Sequence, residues 1–353
     1  MLNNITIDNF RAIKHIEIDD FRRINLFVGK NNCGKTSILE GLYLLAAPTK
    51  PDILLDMIWQ RELHKVSDNL SFFLHNLDIT TNIEIRGEVL SLSELRNLII
   101  IPKTSIKFFE QNNDYPEVSN ALVGFVFDYR MEKEQKYYNT ESYIYKNDKG
   151  IIVKHADTVA DPIDKGKFYV RFFASNSDLN SMVGAFDRIQ VRKLTGRLIK
   201  VLKKIEPSIE SLVNVGNVIY CDVGLNKLIP LGVMGDGVIR IFSIVAMIVD
   251  SRGEKGAGGI ALIDEIEKGL HYSALRDLWD AVYEIAKEFD VQVFATTHSM
   301  ECIQALAESY SARNTEDDEI RMYRIERENG IFDVIDYNNN LIMASLDSNW
   351  EMR

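Results

Sequence analysis

The chain has 353 residues, 46% of them hydrophobic and 26% charged, and carries a formal net charge of −11 at pH 7. That length supplies about two to three domain-sized units, so a large core can form without disulfide staples. The acidic balance excludes a protein that binds nucleic acid over its whole surface, and any such contact must come from a local basic patch.

In chain order, Ile5 and Ile7, then Ile16 and Ile18, alternate as half-buried strands do. The apolar run at 24–28 leads into residues 29–36, GKNNCGKT, a complete G-x-x-x-x-G-K-[ST] loop. Residues 37–45 are apolar at helical spacing, so the loop has a strand in front and a helix behind. Gly29 and Gly34 let the backbone bend until successive N–H groups point at one anion, and the following helix adds its positive end. Lys35 is expected to reach the β- and γ-phosphates of ATP, and Thr36 to place its hydroxyl on Mg²⁺. Gly29, Asn31, Asn32, Cys33, Gly34 and Ser37 complete the expected nucleotide contacts, with Cys33 as a small space-filling residue.

Pro48 and Pro51 break the chain before a mixed, mainly helical stretch at 51–78. Residues 79–175 read as an antiparallel β-rich insertion, with strands at 81–88, 123–129 and 143–146 and a hairpin turn at 147–150. Residues 176–215 read as a helical lobe. Residues 216–353 alternate strand and helix, as a mostly parallel sheet does. With 1–78 as the first lobe, the expectation is an α/β fold of four segments. Thr315 to Glu319 reads as a solvated acidic connection.

Two strand ends in the last segment carry chemistry. In 259–265, GIALIDE, a buried parallel strand delivers Asp264 and Glu265 to the sheet's C-terminal edge. Asp264 is expected in the Mg²⁺ coordination sphere, and Glu265 as the acceptor of a proton from the attacking water. In 291–299, VQVFATTHS, a second buried strand ends at His298, which is expected to touch the γ-phosphate or position that water. Gly235, Asp236 and Gly237 precede a long apolar helix and expose backbone N–H groups to an anion.

In this order, these elements resemble the ABC-class ATPases, and within them the SMC/RecF/OLD-like branch. Residues 7–14, IDNFRAIK, Asn31 inside the loop, and 264–271, DEIEKGLH, carry the likeness. The resemblance implies a P-loop NTPase head with a mixed sheet. It places Arg11 near the phosphates, Gly235 to Gly237 at the signature position, and Gly269 to His271 at a dimer seam. The signature serine is replaced by Gly235, and Gln60 is a candidate for the Mg²⁺-sensing glutamine. ATP is then sandwiched between two chains of a homodimer or higher homo-oligomer. About fifty-five residues follow His298, too few for a nuclease domain of typical size. The expectation is therefore a stand-alone ATPase, a nucleotide-gated sensor or scaffold in antiphage defence, with a nuclease or toxin as a separate effector.

Two alternatives stand beside it. Between Arg188 and Lys204 lie seven basic residues and no acid (Arg188, Arg192, Lys193, Arg197, Lys200, Lys203 and Lys204). On one helix they form a stripe that fits a nucleic-acid backbone, as a RecF-like DNA-maintenance ATPase needs, or an acidic partner, or a solvated face. A non-hydrolysing protein stabilised by ATP is the other alternative. Cys33, Cys221 and Cys302 lie far apart with no C-x-x-C pair, which points to reduced thiols in a cytoplasmic protein. No signal peptide is visible, and no apolar run reaches the ~18–20 residues of a membrane span.

Overall fold

Alternation builds the first layer. Side chains of β1 (Ile5–Phe10) and β2 (Ile13–Ile18) alternate between buried and more exposed, and the strands pair antiparallel with Ile7 opposite Ile16. The computed structural model describes residues 1–47, 50–61, 63, 70–90, 93–105, 108–109, 122–147, 150–155, 168–253, 258–313, 317–338, 340–342 and 344. Residues 148–149 of the expected hairpin turn and 315–316 of the acidic connection lie outside them.

The chain divides into two compact units. The first comprises Met1–Phe21, Asn31–Phe168 and Ile325–Ile335. The strand β3 (Ile24–Val28) belongs to the second unit, as do most later elements. In the first unit, β4 (Ile83–Val89), β5 (Glu94–Lys103), β6 (Gly124–Lys133), β7 (Lys136–Asn147) and β8 (Gly150–Lys154) join β1 and β2. They form one seven-stranded sheet in the order β2-β1-β4-β5-β6-β7-β8. The strands read as an insertion therefore continue the layer that the N-terminus begins, because β1 pairs with β4, Ile7 opposite Ile85. Helix α1 (Lys35–Ala46) packs on β1, β4 and β5. The approach is close: a Cβ on Gly41 would sit 2.5 Å from Ile7 Cδ1. A short helix, α2 (Ile53–Gln60), follows.

The second unit comprises Arg22–Lys30, Tyr169–Arg324 and Asp336–Arg353. Its sheet is parallel: β3 lies between β14 (Val291–Thr296) and β15 (Ile320–Glu328), while β13 (Gly259–Ile263) lies between β14 and β9 (Tyr169–Phe173). Every residue of β3, β13 and β14 is buried, as strands covered on both faces require. Counted by sequence with the antiparallel stretch, β9 instead pairs parallel with β13, Val170 opposite Ile260. A small antiparallel sheet holds β10 (Ser211–Val215), β11 (Val218–Asp222) and β12 (Ile229–Pro230). The chain turns back after β15 into β16 (Ile331–Tyr337).

The basic stretch does not form one helix. It splits into α3 (Val183–Val191) and α4 (Thr195–Leu202), because Lys193 takes a left-handed φ of +58° and Leu194 N–H closes on Ile189 O at 3.0 Å. Helix α5 (Asp236–Asp250) is buried from Arg240 to its end. With α6 (Leu275–Phe289) and α7 (Met300–Ser311) it covers the core, where Phe186 and Phe242 meet edge to face at 5.8 Å. Among the described residues no helix is long and apolar enough to cross a membrane. All three cysteines are buried and unpaired with one another.

Candidate functional site

The parallel register of the second unit brings three motif segments to one sheet edge. Phe27 stands opposite Thr296, and Ile263 opposite Ala295, so β3, β14 and β13 finish nearly level. Thr297 N–H extends the ladder to Phe27 O at 3.1 Å. From this edge β3 enters the glycine loop at Gly29 (φ +138°), β13 delivers Asp264 and Glu265, and β14 delivers Thr297 and His298.

Asp264 and Glu265 are held by neighbours that local motif reading misses. The Thr296 hydroxyl donates to Asp264 Oδ1 at 2.7 Å and accepts the Glu265 N–H at 2.8 Å. Ile266 N–H bonds Thr296 O at 3.0 Å, and Glu267 Oε1 accepts the His298 N–H at 3.0 Å. Glu265 takes a φ of +50°, a conformation that costs a non-glycine residue about 1–3 kcal/mol and persists only where its surroundings impose it. Its own side chain is 36% exposed, with Lys268 Nζ 3.7 Å away.

Arg240, on the second turn of α5, reaches the same segment. Its Nη2 donates to Glu265 O at 2.8 Å, and its guanidinium lies 4.6 Å from the Phe173 ring centre. Burial lowers its pKa from the ordinary arginine value, against the pull of Glu267, Glu265 and Asp264. The helix that begins after Gly235 is thus tied to the backbone behind the two acids. A lone arginine inside an apolar helix, and a threonine pair ending an apolar strand, are the sequence signals for these supports.

In the first unit, the rest of the loop turns into α1. Asn31 and Asn32 are exposed, and Cys33, Lys35 and Ser37 are buried. Gly34 caps the helix at φ +96°, and a Cβ there would approach Phe332 Cε1 at 2.8 Å. Helix α1 thereby starts at Lys35, with Thr36 in its first turn. Lys35 Nζ donates to Cys33 Sγ at 3.5 Å. Arg11, expected beside the phosphates, has a partner on α1: its Nε lies 2.8 Å from Glu40 Oε2, and its guanidinium stacks 4.6 Å from the Phe73 ring centre. Arg61 meets the other Glu40 oxygen at 2.9 Å. Burial pulls the Arg11 pKa down to about 10 against the attraction of Glu40.

Gly235 caps α5 at φ +91°, with Asp236 in the first turn and both residues exposed. Four of the seven cations of the expected stripe pair with acids of the second unit. Arg188 grips the buried Asp250 at 2.7 and 2.8 Å, Arg197 pairs with Glu288 at 3.0 Å, and Lys200 and Lys204 share Glu284. The acids come from α5 and α6, far away in sequence, so a segment with no local acid is nonetheless counter-charged. Gln60 ends α2.

The chain matches a family model described as "AAA domain, putative AbiEii toxin, Type IV TA system" over residues 24–303. It is 26% identical over 344 residues to an ATP/GTP phosphatase of Helicobacter pylori, covering 87% of each chain. The DNA replication and repair protein RecF of Geobacter sulfurreducens is 54% identical over 44 residues, 12% of each chain. A solved SMC head bound to the C-winged helix domain of ScpA superimposes with a TM-score of 0.51 at 12% identity, covering 97% of this chain and 99% of that one. That likeness shows the fold.

Proposed function

The chain belongs to this AAA-domain family, in the ABC/AAA ATPases of the SMC/RecF-like branch, and on that premise we propose that it binds ATP with Mg²⁺ and hydrolyses it. The observation that carries the reading is the single sheet edge from which the glycine loop, the Asp264–Glu265 pair and His298 all depart. Lys35 and the N–H groups of the loop and α1 neutralise the phosphates. Glu265 accepts the proton as water attacks the γ-phosphorus and ADP leaves. His298 orients that water. By their chemistry the Thr36 hydroxyl and the Asp264 carboxylate are each hard oxygen donors of the kind Mg²⁺ takes when phosphates and water supply the rest. Bound there, the ion would neutralise charge on the β- and γ-phosphate oxygens.

Completion of each site by a second copy of the chain would rest on the backbone N–H groups at Gly235 to Gly237, since the serine hydroxyl usual at that position is missing. Hydrolysis then reports assembly. The family description reads "putative AbiEii toxin, Type IV TA system" for the domain itself; the sensor or scaffold role in antiviral defence, with a separate effector, rests on the resemblance to the OLD-like branch alone. The RecF matches cover about an eighth of the chain. Four of the seven cations between Arg188 and Lys204 are ion-paired to acids of α5 and α6, so the DNA-maintenance reading stands second. Purified protein should release phosphate from ATP with Mg²⁺, and Lys35→Ala should abolish it. A wild-type protein that retains ATP without turnover would instead favour a structural nucleotide.

A further inference from the structure

We infer that Thr296 is a positioning residue for nucleotide hydrolysis: its one hydroxyl sets both the carboxylate of Asp264 and the backbone of Glu265. The inference rests on the ATPase reading and assigns a role that no motif in the chain announces.

Thr296 is wholly buried at the last position of β14. A hydroxyl has one proton and two lone pairs. Here the proton goes to Asp264 Oδ1 at 2.7 Å, and a lone pair takes the Glu265 N–H at 2.8 Å. That polarity suits a carboxylate oxygen, which accepts. The bond fixes the plane of the carboxylate and so the direction in which it presents oxygen to a hard cation. The second bond clamps the peptide entering Glu265, whose φ of +50° needs such an external hold. Thr296 O also takes Ile266 N–H at 3.0 Å, so one residue pins three consecutive positions. A valine would keep the shape and the β-branched fit to a buried strand, but it would remove both of these hydrogen bonds, the one to Asp264 Oδ1 and the one from the Glu265 N–H. Groups that orient a metal ligand typically matter about 10- to 100-fold in metal affinity or activity.

The test compares wild-type protein with Thr296→Val and Thr296→Ser. ATP affinity is measured by calorimetry in EDTA and across a Mg²⁺ titration, and phosphate release is measured in parallel. Thr296→Val should bind ATP in EDTA like the wild type, need about tenfold more Mg²⁺ for half-maximal effect, and lose about tenfold or more in kcat. Thr296→Ser, which keeps the hydroxyl, should restore both. If Thr296→Val does not fold, Thr296→Cys carries the same comparison, since a thiol is a weak donor and acceptor. Wild-type Mg²⁺ dependence and kcat in the valine variant would overturn the inference, as would a serine variant as impaired as valine. A wild-type protein that hydrolyses no ATP would overturn the ATPase reading instead, while the Mg²⁺ titration would still judge the link from Thr296 to Asp264.

Discussion

Glu40 offers the sharpest physical test of the helix that carries the phosphate loop. Its carboxylate is 2% exposed and lies between two guanidiniums, Arg11 at 2.8 Å and Arg61 at 2.9 Å. Arg11 is itself only 10% exposed, so Glu40→Ala strands a buried cation beneath α1. Breaking a buried pair by removing one partner costs about 3–5 kcal/mol. The Phe73 ring still faces Arg11 and retains roughly 0.5–2 kcal/mol of cation–π attraction. We therefore expect a loss of about 3 kcal/mol, read as a lower urea midpoint at unchanged m. The double variant Arg11→Met/Glu40→Ala should recover most of it, because the charge left without Glu40 is then Arg61, which is 37% exposed and reaches water. A single-variant loss below about 1 kcal/mol, as for exposed pairs, would show that the pair does not anchor α1.

Other perturbations read the remaining parts. Lys35→Ala should weaken ATP binding about thirtyfold or more, since a buried charge contact to phosphate is lost; calorimetry decides, and unchanged affinity would remove Lys35 from the site. Glu265→Gln should keep nucleotide binding but slow turnover about a hundredfold or more, the typical share of a general base; wild-type phosphate release would reject that assignment. Burial works upward on the Asp250 carboxyl, and hydrogen bonds from Arg188 and Arg171 override it, holding the group below the usual carboxylate range. Its folded pKa is thus depressed, so its stabilisation is present above the unfolded pKa of about 3.9 and fades as pH falls through the folded value. Asp250→Asn should flatten the acid limb of stability between about pH 5 and pH 2. Charge reversal at Arg192, Lys193 and Lys200 should leave any DNA retention in a filter assay unaltered, whereas loss of binding would revive the nucleic-acid surface.

What the sequence declares is local. Residues 29–36 announce a phosphate loop because the glycines, the lysine and the threonine sit within one turn and its flanks. The runs before Asp264 and His298 announce buried parallel strands because no charge interrupts them and, apart from Gln292 and the closing threonines, they are apolar. What it conceals depends on residues brought together from afar. Asp250, Glu284 and Glu288 cancel cations sixty or more positions away. Glu40 claims Arg11, and Arg240 reaches the carbonyl of Glu265. The break at Lys193 rests on one left-handed residue that carries no glycine to mark it. The strand at 169–173 looks like its antiparallel predecessors, and only its pairing reveals the other sheet.

The position of β3 bears on how the protein is made. This five-residue apolar strand finds its two neighbours only at Val293 and Ile320, almost the whole chain later. At a synthesis rate of roughly 5–20 residues per second, it waits about 15–60 seconds on the ribosome with both backbone edges unclaimed. During that interval its backbone edges can be met only by water or passing partners, and a chain that stops before Ile320 lacks the strand that closes one edge of β3.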